Sequence, residues 1–406
     1  MTWALPAIAA VLLAYAAVSG RLAGTPVTAP IVFTCGGLLL GAVELIDVES
    51  TAETVKLLAE VTLALVLFSD AARLNPTELR AEVALPARLL GIGLPLTILA
   101  GFGAALLVLP DLAWPEALLL AVILAPTDAA LGQVVVTLPI LPSRIRQGLN
   151  VESGLNDGIC VPLFLIVLAV AQAEAGAIGD GAAARLVLEQ IGYGIAAGVV
   201  TAAIAAAVLI LARRRHTIDP AWARIVPVAA AALAYTVAVP VGGSGFIAAF
   251  VGGMTFGAIT ARQPDDAAPT DLLEESGDLF NAVTFIVFGA VLFGPALDHL
   301  SWSIVGYAAL SLTAVRMLPV AVSMIGADTR APTTAFLGWF GPRGLATIVF
   351  VILILEEHRP LPHQQPLVTT AIVTVGLSVL AHGLSAAPLA RRYAHWTRTS
   401  PESNPT

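Results

Sequence analysis

The chain has 406 residues, of which 58% are hydrophobic and 12% charged, about half the roughly 25% charged share of an average soluble protein. Twenty basic and 28 acidic residues cannot cover a chain of this size with a charged surface, which excludes an ordinary soluble enzyme. Mean hydropathy is +0.89, and one spanning helix takes about 20 apolar residues, so there is room for a dozen or more. The composition reads as an all-α polytopic membrane protein. The net charge of −8 says little, because placement matters more than the sum. No basic patch suits nucleic acid. Cys35 and Cys160 lie in apolar runs and suggest neither a disulfide nor a metal site.

Apolar runs place thirteen spans near 4–20, 27–45, 54–71, 86–109, 116–137, 147–172, 184–212, 222–240, 242–260, 278–297, 301–323, 333–356 and 365–390. The first run lacks a positively charged start and reads as a transmembrane helix rather than a signal peptide. Loops Arg21–Pro26 and Pro240–Gly242 are short, which makes both splits debatable. Positive charges should collect on the cytoplasmic side. Loops after odd-numbered spans and the C-terminal tail hold fifteen basic residues, and loops after even-numbered spans hold three: Lys56, Arg185 and Arg359. The N-terminus is therefore expected outside and the C-terminus inside, followed by a cytoplasmic tail too short to form a domain. The acidic stretch Asp265 to Glu275 reads as a solvated loop.

Two spans are broken at mid-depth. Span 5 carries Pro126-Thr127-Asp128, and span 12 carries Gly341-Pro342-Arg343-Gly344. Proline removes a backbone donor and clashes with the preceding turn. With span 7 set aside as a linker, each broken helix is the fifth of six, and the second copy enters from the opposite side. Interrupted helices at matching positions of inverted repeats point to a transporter's binding site.

Span 6 opens Glu152-Ser153-Gly-Leu-Asn156-Asp157. Residues four apart share a helix face, so Ser153 stacks on Asp157, and Glu152 on Asn156. A hydroxyl above a carboxylate is a half-site for a hard cation, and Asp128 and Thr127 can supply further oxygens. A charge at a helix centre costs at least about 2.5–3.5 kcal/mol, so three acids and a base at that depth need a reason. Arg343 is expected to form a structural ion pair with Glu152. Asp128 and Asp157 then resist ionising together, so an empty site holds a proton that an entering cation expels. Asp157 is the expected titrating ligand. Asp128 can also cap a helix end beside the break, and Asn156 serves either as polar glue or in ion selectivity. Asp70 in span 3 either reaches the cavity or sits at the interface near Arg73. Arg316 either snorkels or meets a broken-helix carbonyl. His382 reads as a satisfied polar residue near a helix end rather than a pH sensor.

Pro126-Thr127-Asp128, Glu152-Ser-Gly-Leu-Asn156-Asp157 and Gly341-Pro342-Arg343-Gly344 together resemble the NhaP-type sodium/proton antiporters. The runs Phe285-Ile-Val-Phe288-Gly289 and Arg316-Met-Leu-Pro319 add to the resemblance, which extends from span 3 to span 13. It implies thirteen helices and a homodimer. Residues 1–80 (helices 1–3) and 174–300 (linker helix 7 and helices 8–10) would form the interface side. Residues 81–173 and 301–394 would form the moving core, with 395–406 a cytoplasmic tail. It implies that Asp157 binds cation or proton with help from Asp128, the Thr127 backbone and Ser153, and that Glu152 pairs with Arg343. It also implies electroneutral exchange, because Asn156 stands where electrogenic relatives carry a second Asp. Archaeal relatives place a Glu in span 3 near the ion, where the nearest acid here is Asp70.

The expectation is thus a secondary antiporter of the cell membrane that exchanges Na⁺, Li⁺ or K⁺ for H⁺ and needs no organic cofactor. A Na⁺-coupled organic-anion symporter would require an anion pocket, yet the deep charges are mainly acidic. A channel would want a continuous pore with rings of ligands.

Overall fold

The computed structural model describes residues 3–22, 24–45, 52–74, 84–128, 131–132, 138, 140–176, 180–261, 270–327, 329–357 and 360–399. Among them every regular element is helical. In chain order these are α1 (Ala4–Leu22), α2 (Ala29–Ala42), α3 (Ala52–Ala72), α4 (Ala84–Val108), α5 (Trp114–Ile123), α6 (Ser143–Glu174) and α7 (Asp180–Arg214). Then follow α8 (Pro220–Val241), α9 (Gly245–Thr260), α10 (Asp271–His299), α11 (Trp302–Ser323), α12 (Ala331–Trp339), α13 (Leu345–Leu355) and α14 (Gln364–Thr399).

Eight of the described helices are long and apolar enough to cross a membrane, and α2, α5, α9 and α13 are shorter apolar helices. Large apolar side chains point outward, with Leu5, Leu107 and Leu188 exposed by 77%, 84% and 72%. Such a surface suits lipid, which wets it without cost.

Both debated splits are present. α1 ends at Leu22 before α2 opens at Ala29, and Gly242 turns the chain at φ +83° between α8 and α9. Two expectations are corrected. The acidic stretch is not all loop, since α10 starts at Asp271; an acid in a first turn suits the positive end of the helix dipole. Residues 262–269 lie outside the described residues. The last helix continues to Thr399 through Gly383 and Pro388, so residues 395–399 are helix rather than tail, and 400–406 lie outside the described residues.

The chain divides into two compact units, one of residues 1–55, 84–156 and 282–406, the other of 56–83 and 157–281. In the first, Leu85, Leu89, Leu149, Val320, Phe336, Phe340 and Tyr393 form a buried cluster. Gly37 and Gly41, four apart on α2, let its backbone meet α10: a Cβ on either would lie 1.9 Å from the Ile286 carbonyl oxygen or 2.7 Å from that of Ala290. In the second, Phe68, Ala202, Ala231, Ala249 and Phe256 are packed together. Gly253 and Gly257 of α9 press on the Phe68 and Ala72 carbonyls of α3 in the same way. Small residues four apart are how membrane helices bring backbones together.

Two helices widen to a five-residue hydrogen-bond step before a proline. The Leu94 N–H reaches the Leu89 carbonyl ahead of Pro95, and the Gly294 N–H reaches Gly289 ahead of Pro295. The wider turn makes room for a ring that an ordinary turn would strike.

Candidate functional site

α5 stops at Ile123, three residues before Pro126, and α13 starts at Leu345, three residues after Pro342. A helix ended inside a membrane strands backbone carbonyls at one end and amides at the other, and each needs a partner. The two breaks supply each other. Arg343 Nη1 donates to the Ala125 carbonyl at 2.8 Å and to that of Pro126 at 3.1 Å. Thr347 Oγ1 donates to the Ile123 carbonyl at 2.7 Å. In the other direction, Asp128 Oδ2 accepts from the Leu345 N–H at 2.8 Å, and the Asp128 N–H donates to the Pro342 carbonyl at 2.8 Å. A cation therefore sits at the carbonyl end of α5 and an anion at the amide end of α13. Each orientation matches the local helix dipole, which contributes up to about 2 kcal/mol in a partly buried setting.

Both glycines of the second break are needed for these approaches. A Cβ on Gly344 would lie 2.0 Å from Asp128 Oδ2, and one on Gly341 would lie 2.4 Å from Arg316 Nε. α14 braces the same break. Ser378 Oγ accepts from the Arg343 N–H at 2.7 Å, and His382 Nε2 lies 2.9 Å from the Trp339 carbonyl at the end of α12. The opposite end of α5 is anchored as well: Glu116 accepts from the Ala113 N–H at 3.0 Å and from the His363 N–H at 2.8 Å.

α6 grips the first break at Thr127. Asn156 Oδ1 accepts from the Thr127 N–H at 3.3 Å, and Asn156 Nδ2 donates to Thr127 Oγ1 at 2.6 Å. Ser153 Oγ donates to the Thr127 carbonyl at 2.7 Å, which leaves the 3.0 Å contact between the two hydroxyls to be donated by Thr127. The Asn156 amide, the two hydroxyls and the Thr127 carbonyl thus form a closed relay in which each hydroxyl donates once. Asp157 is the next residue of α6, 6% exposed and one turn beyond Ser153. Gly158 after it has no room for a Cβ, which would meet the Phe250 ring at 2.3 Å.

Glu152 takes a different partner from the one expected. Its Oε1 lies 2.6 Å from Arg316 Nη2 of α11, with both side chains 2% exposed. The Glu152–Arg343 pair is corrected to Glu152–Arg316, and Arg343 takes the broken-helix carbonyls instead. Charge balance explains the substitution: either guanidinium satisfies the acid, but only Arg343 lies where two bare carbonyls converge. His382 lies well inside α14 and is satisfied there, not near a helix end.

The structure therefore joins Pro126, Thr127, Asp128, Ser153, Asn156 and Arg343 in one bonded cluster. Asp70 is half-buried near the end of α3 in the second unit, where Arg73 pairs with Glu274. Arg316 as the partner of Glu152, and Thr347 and Ser378 as supports, went unread in the sequence. The available signal was polarity within apolar runs, with Thr347 four residues from Arg343 and Ser378 four from His382. Among the described residues no three His, Cys, Asp or Glu side chains gather as a metal site. The cluster instead offers hydroxyl, amide and carbonyl oxygens, which are ligands for a hard cation.

Two helix breaks that satisfy each other's stranded groups, gripped by a polar helix, are the arrangement expected of a membrane transporter. The family model described as "Sodium/hydrogen exchanger, transmembrane" matches residues 8–392, and the chain belongs to that family. It is 27% identical over 385 residues to a K⁺/H⁺ antiporter NhaP of Alkalimonas amylolytica, a match covering 92% of this chain and 63% of that protein. It is 25% identical over 271 residues to a Na⁺/H⁺ antiporter of Schizosaccharomyces pombe, covering 63% of this chain and 57% of that one. The chain thus spans less than two thirds of the length of these relatives. The fold matches the sodium proton antiporter MjNhaP1 of Methanocaldococcus jannaschii with TM-score 0.78 at 20% identity, covering 94% of this chain and 97% of the other.

Proposed function

We propose that the chain exchanges Na⁺ for H⁺ across the cell membrane by alternating access, serving pH and sodium homeostasis. The carrying observation is the closed relay of Thr127, Ser153 and Asn156 set one residue from the buried Asp157. Two other deep acids have structural work: Asp128 caps α13 and Glu152 pairs with Arg316. Asp157 is the carboxylate we assign to exchange. Its proton leaves when a cation arrives, and the cation leaves when the proton returns. Ser153 Oγ, the second lone pair of the Thr127 carbonyl and the Asp128 carboxylate complete the oxygen set, with Asp70 as a further donor.

Asn156 cannot titrate, and both ends of its amide are spent on Thr127. One exchangeable charge beside it supports one-for-one, electroneutral exchange. The arginine distribution supports thirteen crossings with the N-terminus outside and the C-terminus inside. We further propose a homodimer through residues 1–80 and 174–300, with 81–173 and 301–394 as the moving core. K⁺ is the second candidate ion, favoured by the Alkalimonas relative. The organic-anion symporter reading finds no support among these relatives.

Everted vesicles test the proposal. Added Na⁺ should dissipate a preset acid-inside gradient, and Asp157→Asn should abolish this while leaving the protein folded. Normal exchange by that variant would refute the assignment. Repeating the assay with K⁺ identifies the ion, and a voltage-sensitive dye should report no coupled charge movement.

A further inference from the structure

α11, α12 and the arginine-bearing end of α14 enclose a groove of about 440 Å³, within the range of small-ligand sites. Its wall is aromatic, with Phe336, Trp339, Phe340, Tyr393 and Trp396. The rings form a ladder: Phe336 stacks on Tyr393 with centroids 4.3 Å apart, and Tyr393 on Trp396 at 5.6 Å. Among the described residues that line the groove, Arg392 is the one with a charge. Its neighbours are already engaged, Arg391 with the Gly24 carbonyl at 2.6 Å and Arg398 with that of Ala394 at 3.3 Å. Arg392 is exposed and makes no hydrogen bond or ion pair among the described residues. Leu318, the residue after the lining Met317 on α11, is 64% exposed.

Each half of this arrangement alone has a simple reading. A soluble phosphate would use the guanidinium and ignore the rings. An apolar segment would use the rings and leave the guanidinium unmatched. Aromatic side chains and arginine together at a helix end mark the membrane–water boundary, where a headgroup meets the start of an acyl chain. We propose that the groove binds one anionic phospholipid of the surrounding leaflet, its phosphate on Arg392 and a chain along the aromatic ladder. The site rests on the bilayer setting of the chain and not on which ion is exchanged. Trp339 joins it to the transport machinery, because the carbonyl of that residue faces His382 at the second break.

The test uses the full chain, purified in neutral detergent, with thermal unfolding and native mass spectrometry as readouts. Phosphatidylglycerol should raise the unfolding midpoint and be retained as one bound lipid, while phosphatidylcholine of the same chain length should do neither. Arg392→Gln should weaken retention roughly fivefold, what one basic residue contributes against an anionic lipid. Ala335→Trp, which fills the groove from an exposed lining position, should abolish it. Glycerol phosphate, a headgroup without a chain, should have no effect. Equal stabilisation by both lipids, full stabilisation by glycerol phosphate, or retention unchanged in both variants would overturn the proposal. So would a dimer that dissociates in Ala335→Trp with no dependence on lipid, which would assign the groove to a second copy of the chain. Because neither variant touches Asp157, loss of lipid binding with exchange intact separates this site from the exchange proposal.

Discussion

The break after α5 and the break between α12 and α13 each set a proline beside a charge, Pro126 near Asp128 and Pro342 next to Arg343. Their surroundings differ. The first hands its Thr127 to α6, where Ser153 and Asn156 take up the amide, carbonyl and hydroxyl. The second is bound on all sides by supports: Ser378 and His382 of α14, and Arg316 of α11 against Gly341. One break faces the helix that carries the proposed binding residues, and the other is braced by its neighbours. Two helix interruptions that look alike in sequence can thus divide the work, one presenting ligands and the other holding charge in place. Damage to the scaffold break should cost folding and all transport together. Damage to the ligand break should change ion affinity first.

The largest effect is expected at Gly344. A methyl group there would lie 2.0 Å from Asp128 Oδ2, so Gly344→Ala must expel the carboxylate and strand the Leu345 amide. Overpacking and the lost charged hydrogen bond together cost roughly 3–6 kcal/mol. The expected outcome is a sharp fall in unfolding temperature and no exchange with any cation. A stable variant with ordinary transport would show that the second break is not scaffold.

Next comes the partner of Glu152. Removing one member of a buried pair costs about 3–5 kcal/mol, because the other charge is left uncompensated. Glu152→Gln should destabilise the protein by that order, and adding Arg316→Met should recover much of the loss. Combining Glu152→Gln with Arg343→Met should not, since the Arg343 guanidinium serves the Ala125 and Pro126 carbonyls. Rescue by Arg343→Met and not by Arg316→Met would reverse the pairing.

That pairing also shows what a sequence can and cannot disclose. The breaks were legible because Pro126 and Pro342 each remove a backbone donor beside a charge within an apolar run, and the face shared by Ser153 and Asp157 follows from helix geometry. The partner of Arg343 was not. Charge counting offers a guanidinium only carboxylates, whereas a broken helix offers carbonyls, which carry no residue identity. Arg316 lies in another span, and nothing in its neighbours marks the approach to Gly341. His382 reads as near a helix end, yet it sits in the middle of α14. In the structure Gly383 is there for packing: a Cβ would meet Ile31 at 2.6 Å and Thr28 Oγ1 at 2.7 Å of the α2 entry. Composition identified the solvent and apolar runs the helices, but contacts between distant spans needed the fold.

The smallest effect, and the sharpest on the comparison, is expected at Thr127. Valine keeps the shape and removes the hydroxyl that accepts from Asn156 Nδ2 at 2.6 Å and donates to Ser153 Oγ. One buried amide donor is left unsatisfied, at about 1–3 kcal/mol, which a folded protein of ordinary stability survives. Ser153 keeps its bond to the Thr127 carbonyl but loses the proton offered to its lone pair, so the oxygen set around a cation loosens. Apparent Na⁺ affinity in everted vesicles should fall roughly tenfold, equivalent to about 1.4 kcal/mol, with the maximal rate nearly kept. Thr127→Ser restores the hydroxyl and should restore the affinity. If Thr127→Val instead lowered the maximal rate and left the affinity untouched, the first break would be scaffold like the second, and the division of labour between them would fail.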